Sequence, residues 1–237
     1  MDEKNYEDFI STVSHELRTP LTSIRGFSQT MLASWEKLDD ESKKKFLKII
    51  EEQSNRLINL VENMLCVTKL QSARDNLILK DVYVKPVVET VISVLKNQYR
   101  TNSFEIDINE KTPAILADKD KFQQVMTNLI ENAAKYSAED AAVTIKVRPE
   151  SDFVSIKVIN TGLEIEPEDY EKIFTKFSRL DNPLTRRTQG SGLGLYITKN
   201  IVEKMNGEIS VASCDNTTTF EVCLPVSNIE TRMQCNQ

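Results

Sequence analysis

Residues 10–31 read ISTVSHELRTPLTSIRGFSQTM, and within them Ile10, Val13, Leu17, Pro20, Ile24, Phe27 and Met31 step by three and four. Because 3.6 residues complete a helical turn, these steps put all seven on one seam of an α-helix. A seam this regular is the heptad pattern of a helix that packs against partner helices. After a polar break at 36–40, Phe46, Ile50, Gln53, Leu57, Leu60, Met64 and Val67 repeat the same steps. The spacing predicts a second long helix that returns beside the first as an antiparallel hairpin. One hairpin covers only one face of each helix, so a seam this long predicts a homodimer, most simply a four-helix bundle built from two chains.

Beyond Gln71 the heptads stop, and the polar stretch SARDN (72–76) leads towards Pro86. We expect a helical domain over 1–75, a second domain over 76–228 and a flexible tail over 229–237. In the second domain, LILKDVYV (77–84), SFEIDI (103–108), AAVTIKV (141–147), FVSIKVIN (153–160), EISVAS (208–213) and TTFEVCLP (218–225) read as strands. VVETVISVLKNQY (87–99), DKFQQVMTNLIENAAKYS (120–137) and GLGLYITKNIVEKMNG (192–207) read as helices. The order lacks regular βαβ alternation, which predicts an α+β sandwich with helices on one face of a mixed sheet. Residues 166–189 show no clean period and read as a functional loop, a lid.

The formal net charge of -6 supplies no basic stripe, which excludes nucleic acid as the main partner. No apolar run approaches the ~20 residues of a membrane-spanning helix. The chain therefore reads as a soluble cytoplasmic core, reaching a membrane only through segments outside this sequence, such as an upstream input domain. Cys66, Cys214, Cys223 and Cys235 show no C-x-x-C spacing, and with one histidine there is no zinc set.

That histidine, His15, falls off the seam: with Ile10 and Val13 at a and d it occupies f, facing water. An exposed imidazole is mostly uncharged at neutral pH, and one ring nitrogen then keeps the lone pair a nucleophile needs. Glu16 is placed to accept a hydrogen bond from the other nitrogen, and Thr19, four residues on, shares the face. Further along, Asn128, Asn132 and Lys135 form a polar stripe opposite Phe122, Val125, Met126, Leu129 and Ala133. Amide oxygens suit Mg²⁺ and an ammonium suits phosphate, although a polar stripe is also the ordinary solvated face of an amphipathic helix. Gly190, Gly192 and Gly194 alternate just before the apolar residues Ile197, Ile201 and Met205. Such glycines let backbone approach an anion at a helix N-terminus, yet no βαβ unit precedes them, which disfavours a dinucleotide site.

STVSHELRTPL (11–21) resembles the H-box of sensor histidine kinases. The resemblance implies that His15 takes the γ-phosphoryl of ATP, that Glu16 acts as its base, and that Thr19 positions water when a partner is dephosphorylated. NLIENAAKYS (128–137) is similar to the family's N-box, implying that Asn132 ligates Mg²⁺ and that Lys135 and Tyr136 line the nucleotide pocket. Asn128 stands where hydrolytic relatives of the ATPase fold have a glutamate base; an amide cannot deprotonate water, which favours transfer over hydrolysis. QGSGLGLYITKNIVE (189–203) resembles the G2-box, so Gly190, Gly192, Leu193 and Gly194 are expected at the nucleotide. IFTKFSR (173–179) is similar to the F-box, which makes the intervening stretch an ATP lid anchored by Phe174 and Phe177, with Arg179 on a phosphate. The implied architecture is α+β multidomain: a dimeric helical hairpin followed by an α/β sandwich of the GHKL (Bergerat) ATPase type. The implied partner is a response-regulator receiver domain whose aspartate receives the phosphoryl group.

Two boxes depart from the family pattern. The G1-box D-x-G-x-G, whose aspartate accepts from the adenine amine, appears as Asn160-Thr161-Gly162-Leu163-Glu164. Exchanging a charge-assisted for a neutral bond predicts a loss of about 1–3 kcal/mol, about 5- to 150-fold in ATP affinity. Glu164 is unfavourable if its backbone needs positive φ or if its carboxylate faces the phosphates. The final G-T-T-F element appears as Thr217-Thr218-Thr219-Phe220, with Thr218 expected at the nucleotide. These departures keep open an alternative reading, a degenerate kinase acting as a dimeric interaction module with weak or no ATP binding.

Overall fold

The computed structural model describes residues 3–71, 77–99, 101–178 and 190–227. The expected tail over 229–237 and Arg179 lie outside these residues, as do residues 180–189 of the expected lid. The chain divides into two compact units, Met1–Lys69 and Leu70–Gln237.

The first unit is a hairpin of α1 (Glu3–Ser34) and α2 (Asp40–Gln71), each 32 residues long. The turn closes where Asp39 caps α2, its Oδ1 accepting from the backbone N–H of Ser42 at 3.1 Å. This bond, donated by both the side chain and the backbone of Ser42, holds the Asp39 carboxyl below its ordinary range. α1 runs unbroken through Pro20, which is buried. Phe27 of α1 packs against Phe46 of α2 across the antiparallel pair, their rings tilted with centroids 5.1 Å apart.

In the second unit β2 (Ser103–Ile108), β4 (Ala142–Pro149), β5 (Phe153–Thr161), β7 (Thr217–Pro225) and β6 (Glu208–Cys214) form one mixed sheet in the order β2-β4-β5-β7-β6. β2 and β4 are parallel and the other neighbours antiparallel. A parallel pair needs a crossover; α4 (Lys119–Tyr136) lies within it. α4 starts firmly because the Asp118 side chain accepts from the backbone of Asp120 and Lys121. Its apolar side (Phe122, Val125, Met126, Leu129 and Ile130) is wholly buried, as are Val143, Ile145 and Val147 of β4 and Val154, Ile156 and Val158 of β5. α3 (Val84–Gln98) and α5 (Gly194–Lys204) flank α4. The opposite sheet face is more open and carries the Lys157–Glu221 ion pair.

Three local expectations are corrected. Residues 77–84 were expected as one strand, but only β1 (Lys80–Val82) pairs as a strand, and α3 starts at Val84. Pro86 therefore sits in the first turn of a helix, where its missing N–H would have had no intrahelical partner. β3 (Ile115–Ala117), paired antiparallel with β1, has no counterpart among the expected strands, since three residues are too few to display alternation. The stretch 166–189 is structured over its first part, with 3₁₀ turns at Pro167–Asp169 and Lys172–Phe174.

Candidate functional site

On α1 the imidazole of His15 is 78% exposed, its Nδ1 3.9 Å from Glu16 Oε1. That separation exceeds a hydrogen bond, so the expected ring-to-carboxylate bond is not made here. Glu16 is engaged elsewhere: its Oε2 accepts from Arg56 Nη2 of α2 at 3.2 Å. Arg56 was not among the expected residues, although Glu16 and Arg56 lie nearly equally far on either side of the turn, as Phe27 and Phe46 do. Thr19 is exposed on the same side, and its hydroxyl donates to the carbonyl of His15 at 3.3 Å. Pro20 has no N–H to offer the carbonyl of Glu16, so the helix lacks one intrahelical bond beside His15.

In the second unit the polar side of α4 has been put to two uses. Asn128 Nδ2 donates at 2.8 Å to Oγ1 of Thr198, a buried residue of α5. The same amide occupies the place a side chain at Gly194 would need, since a Cβ there would lie 2.3 Å from Asn128 Oδ1. Asn128 thus ties α4 to the first residue of α5, and Gly194 is small to admit it. Asn132, one turn further on, is half-buried. Lys135 Nζ lies 3.4 Å from Glu131 Oε1, which also accepts from the Tyr99 hydroxyl at 3.2 Å. Burial pushes the Tyr99 phenol above its ordinary range, and the Glu131 carboxylate adds to the effect. Tyr99 and Glu131 are therefore part of this surface although neither was expected there. Tyr136 is half-buried at the end of α4.

The end of α4 closes onto the end of β5. The backbone N–H of Ala138 donates to Thr161 and that of Leu163 to Tyr136, and Ser137 bridges Gly162. A Cβ on Gly162 would sit 2.1 Å from the Tyr136 carbonyl oxygen, so glycine serves close approach here. Beside this junction Asn160 is 3% exposed and its Nδ2 finds no partner among the described residues; Ser137 Oγ is likewise buried and unpartnered. Buried polar atoms left unpaired are uncommon and call for an explanation such as a ligand. Across the ladder from Asn160, Thr218 donates to the carbonyl of Leu163 at 2.9 Å and lies 2.7 Å from Ser213 Oγ. Thr218 therefore braces the segment after β5 from below. Glu164 is exposed and is absent from the positive-φ residues, so the backbone strain feared at this position does not arise.

Of the three alternating glycines, Gly192 has φ +67 and packs against Phe177, where a Cβ would lie 2.6 Å from the backbone carbon. Phe177 itself has φ 60, a conformation uncommon for a non-glycine residue and often found at functional sites. Gly190 stands in open space, whereas Leu193 is wholly buried and anchors the turn into α5. Among the described residues no cluster of three His, Cys, Asp or Glu could hold a metal. The donor set nevertheless suits Mg²⁺, which usually takes one or two protein ligands and completes its shell with phosphate oxygens and water. The orphaned polar atoms, the close glycines and the N-terminus of α5 likewise suit a nucleotide. No helix among the described residues is long and apolar enough to cross a membrane.

Two family models match the chain. Residues 6–73 match the His Kinase A (phospho-acceptor) domain, and residues 117–228 match the histidine kinase-, DNA gyrase B- and HSP90-like ATPase. Sensor protein kinase WalK of Staphylococcus aureus is 34% identical over 232 residues, 96% of this chain and 55% of that protein. The chain thus spans about half the length of the curated relatives it matches. Among solved structures, the Acinetobacter baumannii histidine kinase AdeS has a similar fold, with TM-score 0.71 at 24% identity over 90% of this chain and 98% of that one. Histidine kinase ThkA, solved in complex with the response regulator protein TrrA, aligns with TM-score 0.76 and 25% identity over 93% of this chain and 61% of that one.

Proposed function

Since the chain belongs to the sensor histidine kinases, we propose that it binds Mg-ATP in its second unit, transfers the γ-phosphoryl group to His15, and passes it to an aspartate of a response-regulator receiver domain. The observation that carries this reading is the 78% exposed imidazole of His15 inside the stretch that matches the phospho-acceptor model. Nδ1 is the nitrogen turned towards Glu16, which leaves Nε2 to attack the phosphorus as the bond to the ADP leaving group breaks. Arg56 holds the Glu16 carboxylate in place, so that it can stabilise positive charge as the ring is phosphorylated. Thr19 is assigned the positioning of the water that hydrolyses the regulator's aspartyl phosphate to carboxylate and inorganic phosphate.

In the nucleotide site Asn132 supplies an amide oxygen to Mg²⁺, and the metal, when bound, offsets phosphate charge. Lys135 and Tyr136 line the pocket, Asn160 meets the base, and Gly190, Gly192, Leu193 and Gly194 present backbone to the phosphates. Asn128 is held by Thr198 and has no basic group, so nothing at its position activates water against the phosphoryl group. Arg179 is assigned a phosphate contact from the sequence alone.

The working form is a homodimer. What supports this is the apolar stripe left uncovered on the hairpin, with Leu21 and Leu32 on α1 and Leu47, Ile58 and Leu65 on α2 all exposed. Incubation with γ-labelled ATP and Mg²⁺ tests the function. Acid-labile label is expected on the wild type and none on His15→Ala; label that survives in the variant, or a wild type that binds nucleotide and stays unlabelled, would overturn it.

A further inference from the structure

The helix-facing row of β5 runs Val154, Ile156, Val158, Asn160. Three members are apolar and fully buried, and the fourth is an amide, 3% exposed, whose Nδ2 has no partner among the described residues. An N–H₂ in such a place requires an acceptor. Its cross-strand neighbour Thr218 is not a substitute donor, because its hydroxyl proton is committed to the carbonyl of Leu163. Of this strand pair, Asn160 is therefore the group with a donor free to read a base.

We infer that Asn160 makes this site accept purine nucleoside triphosphates carrying a 6-oxo group as well as those carrying a 6-amino group; the inference rests on the nucleotide-binding reading above. A carboxylate at this position can only accept, so it pairs with the amine of adenine and repels a 6-oxo oxygen. An amide offers one donor and one acceptor. Towards adenine it accepts from the 6-amine through Oδ1 and donates to N1 through Nδ2. Towards hypoxanthine the two ends exchange: Nδ2 donates to O6 and Oδ1 accepts from N1–H. A half-turn of the amide interconverts the two arrangements, and at Nδ2 it breaks no bond to the described residues.

Hypoxanthine is the informative probe, since it differs from adenine only at position 6 and its N1 proton and lacks the 2-amino group of guanine. Binding of the β,γ-methylene analogues of ATP and ITP, with Mg²⁺, is measured calorimetrically on the full chain. Affinities within about tenfold of each other are expected, and Asn160→Asp should widen the ratio in favour of ATP to about 100-fold or more. A wild-type preference for the ATP analogue above about 100-fold would overturn the inference and leave the nucleotide reading intact. Binding of neither analogue would instead overturn the nucleotide reading on which it rests. Because the wild-type ratio requires no variant, the test survives if Asn160→Asp fails to fold, which circular dichroism would reveal.

Discussion

In the helical unit Phe27 and Phe46 remain half-exposed and Leu32 is 83% exposed, whereas in the α/β unit Phe122, Met126 and Leu129 are wholly buried. Among the described residues the first unit leaves apolar surface exposed, and the second has a wholly buried apolar core but two buried polar atoms without a partner, Asn160 Nδ2 and Ser137 Oγ. The two deficits differ in kind. Uncovered apolar area attracts a shape-matched apolar surface and is satisfied by another protein face. An unpaired buried donor requires one complementary atom at a fixed place and is satisfied by a small ligand. The contrast fits the proposed division of labour, a hairpin that associates and a sandwich that takes a nucleotide.

The sharpest way to break this division is at Asn132. Replacement by alanine should lower labelling of His15 about 100-fold with no effect on the hairpin, as read by autophosphorylation beside thermal melts of each unit. Next comes the core. Met126→Ala removes a wholly buried side chain and should destabilise the second unit by about 2–5 kcal/mol in urea denaturation, while the helical transition stays in place. On the hairpin, Leu21→Glu with Leu65→Glu should shift the proposed dimer towards monomer by at least tenfold in sedimentation, leaving nucleotide affinity unchanged. An unaltered dimer would move the association surface elsewhere.

Two smaller effects refine the comparison. Glu164→Gly should change ATP affinity by less than about threefold, because Glu164 is exposed and its backbone is not left-handed. A large gain on titration would show that its charge reaches the phosphates after all. The smallest effect concerns pH. The folded carboxyl of Asp39 lies below its unfolded value, so its cap stabilises the hairpin above the unfolded value and is lost as pH falls through the folded one. Thermal melts between pH 5 and 2 should show a decline in the wild type that is shallower in Asp39→Asn.

Much of this was legible in the chain because the deciding signals are periodic. Steps of three and four along residues 10–67 specify two helices whatever surrounds them, and alternation in 153–160 specifies a strand. The His15 region is legible for the same reason, since an f position on a heptad helix faces water. Legibility failed where the element is shorter than its own period, as at β3, or where a proline is compatible with both a boundary and a first turn, as at Pro86. It failed too for Arg56, Tyr99 and Glu131, whose parts depend on neighbours remote in the sequence.

The residue pattern was enough for the two hairpin helices, the longer sandwich elements and the surface position of the lone histidine, because each depends on local periodicity. The three-dimensional arrangement was needed to see that Asn128 is spent on Thr198 while Asn160 keeps a donor unpaired among the described residues. It also decided that Glu164 escapes strain and that Glu16 answers to Arg56. The physical reason is that a hydrogen bond extends about 3 Å and takes whatever the fold brings within that distance. Two asparagines of identical chemistry are therefore assigned different work by their neighbours.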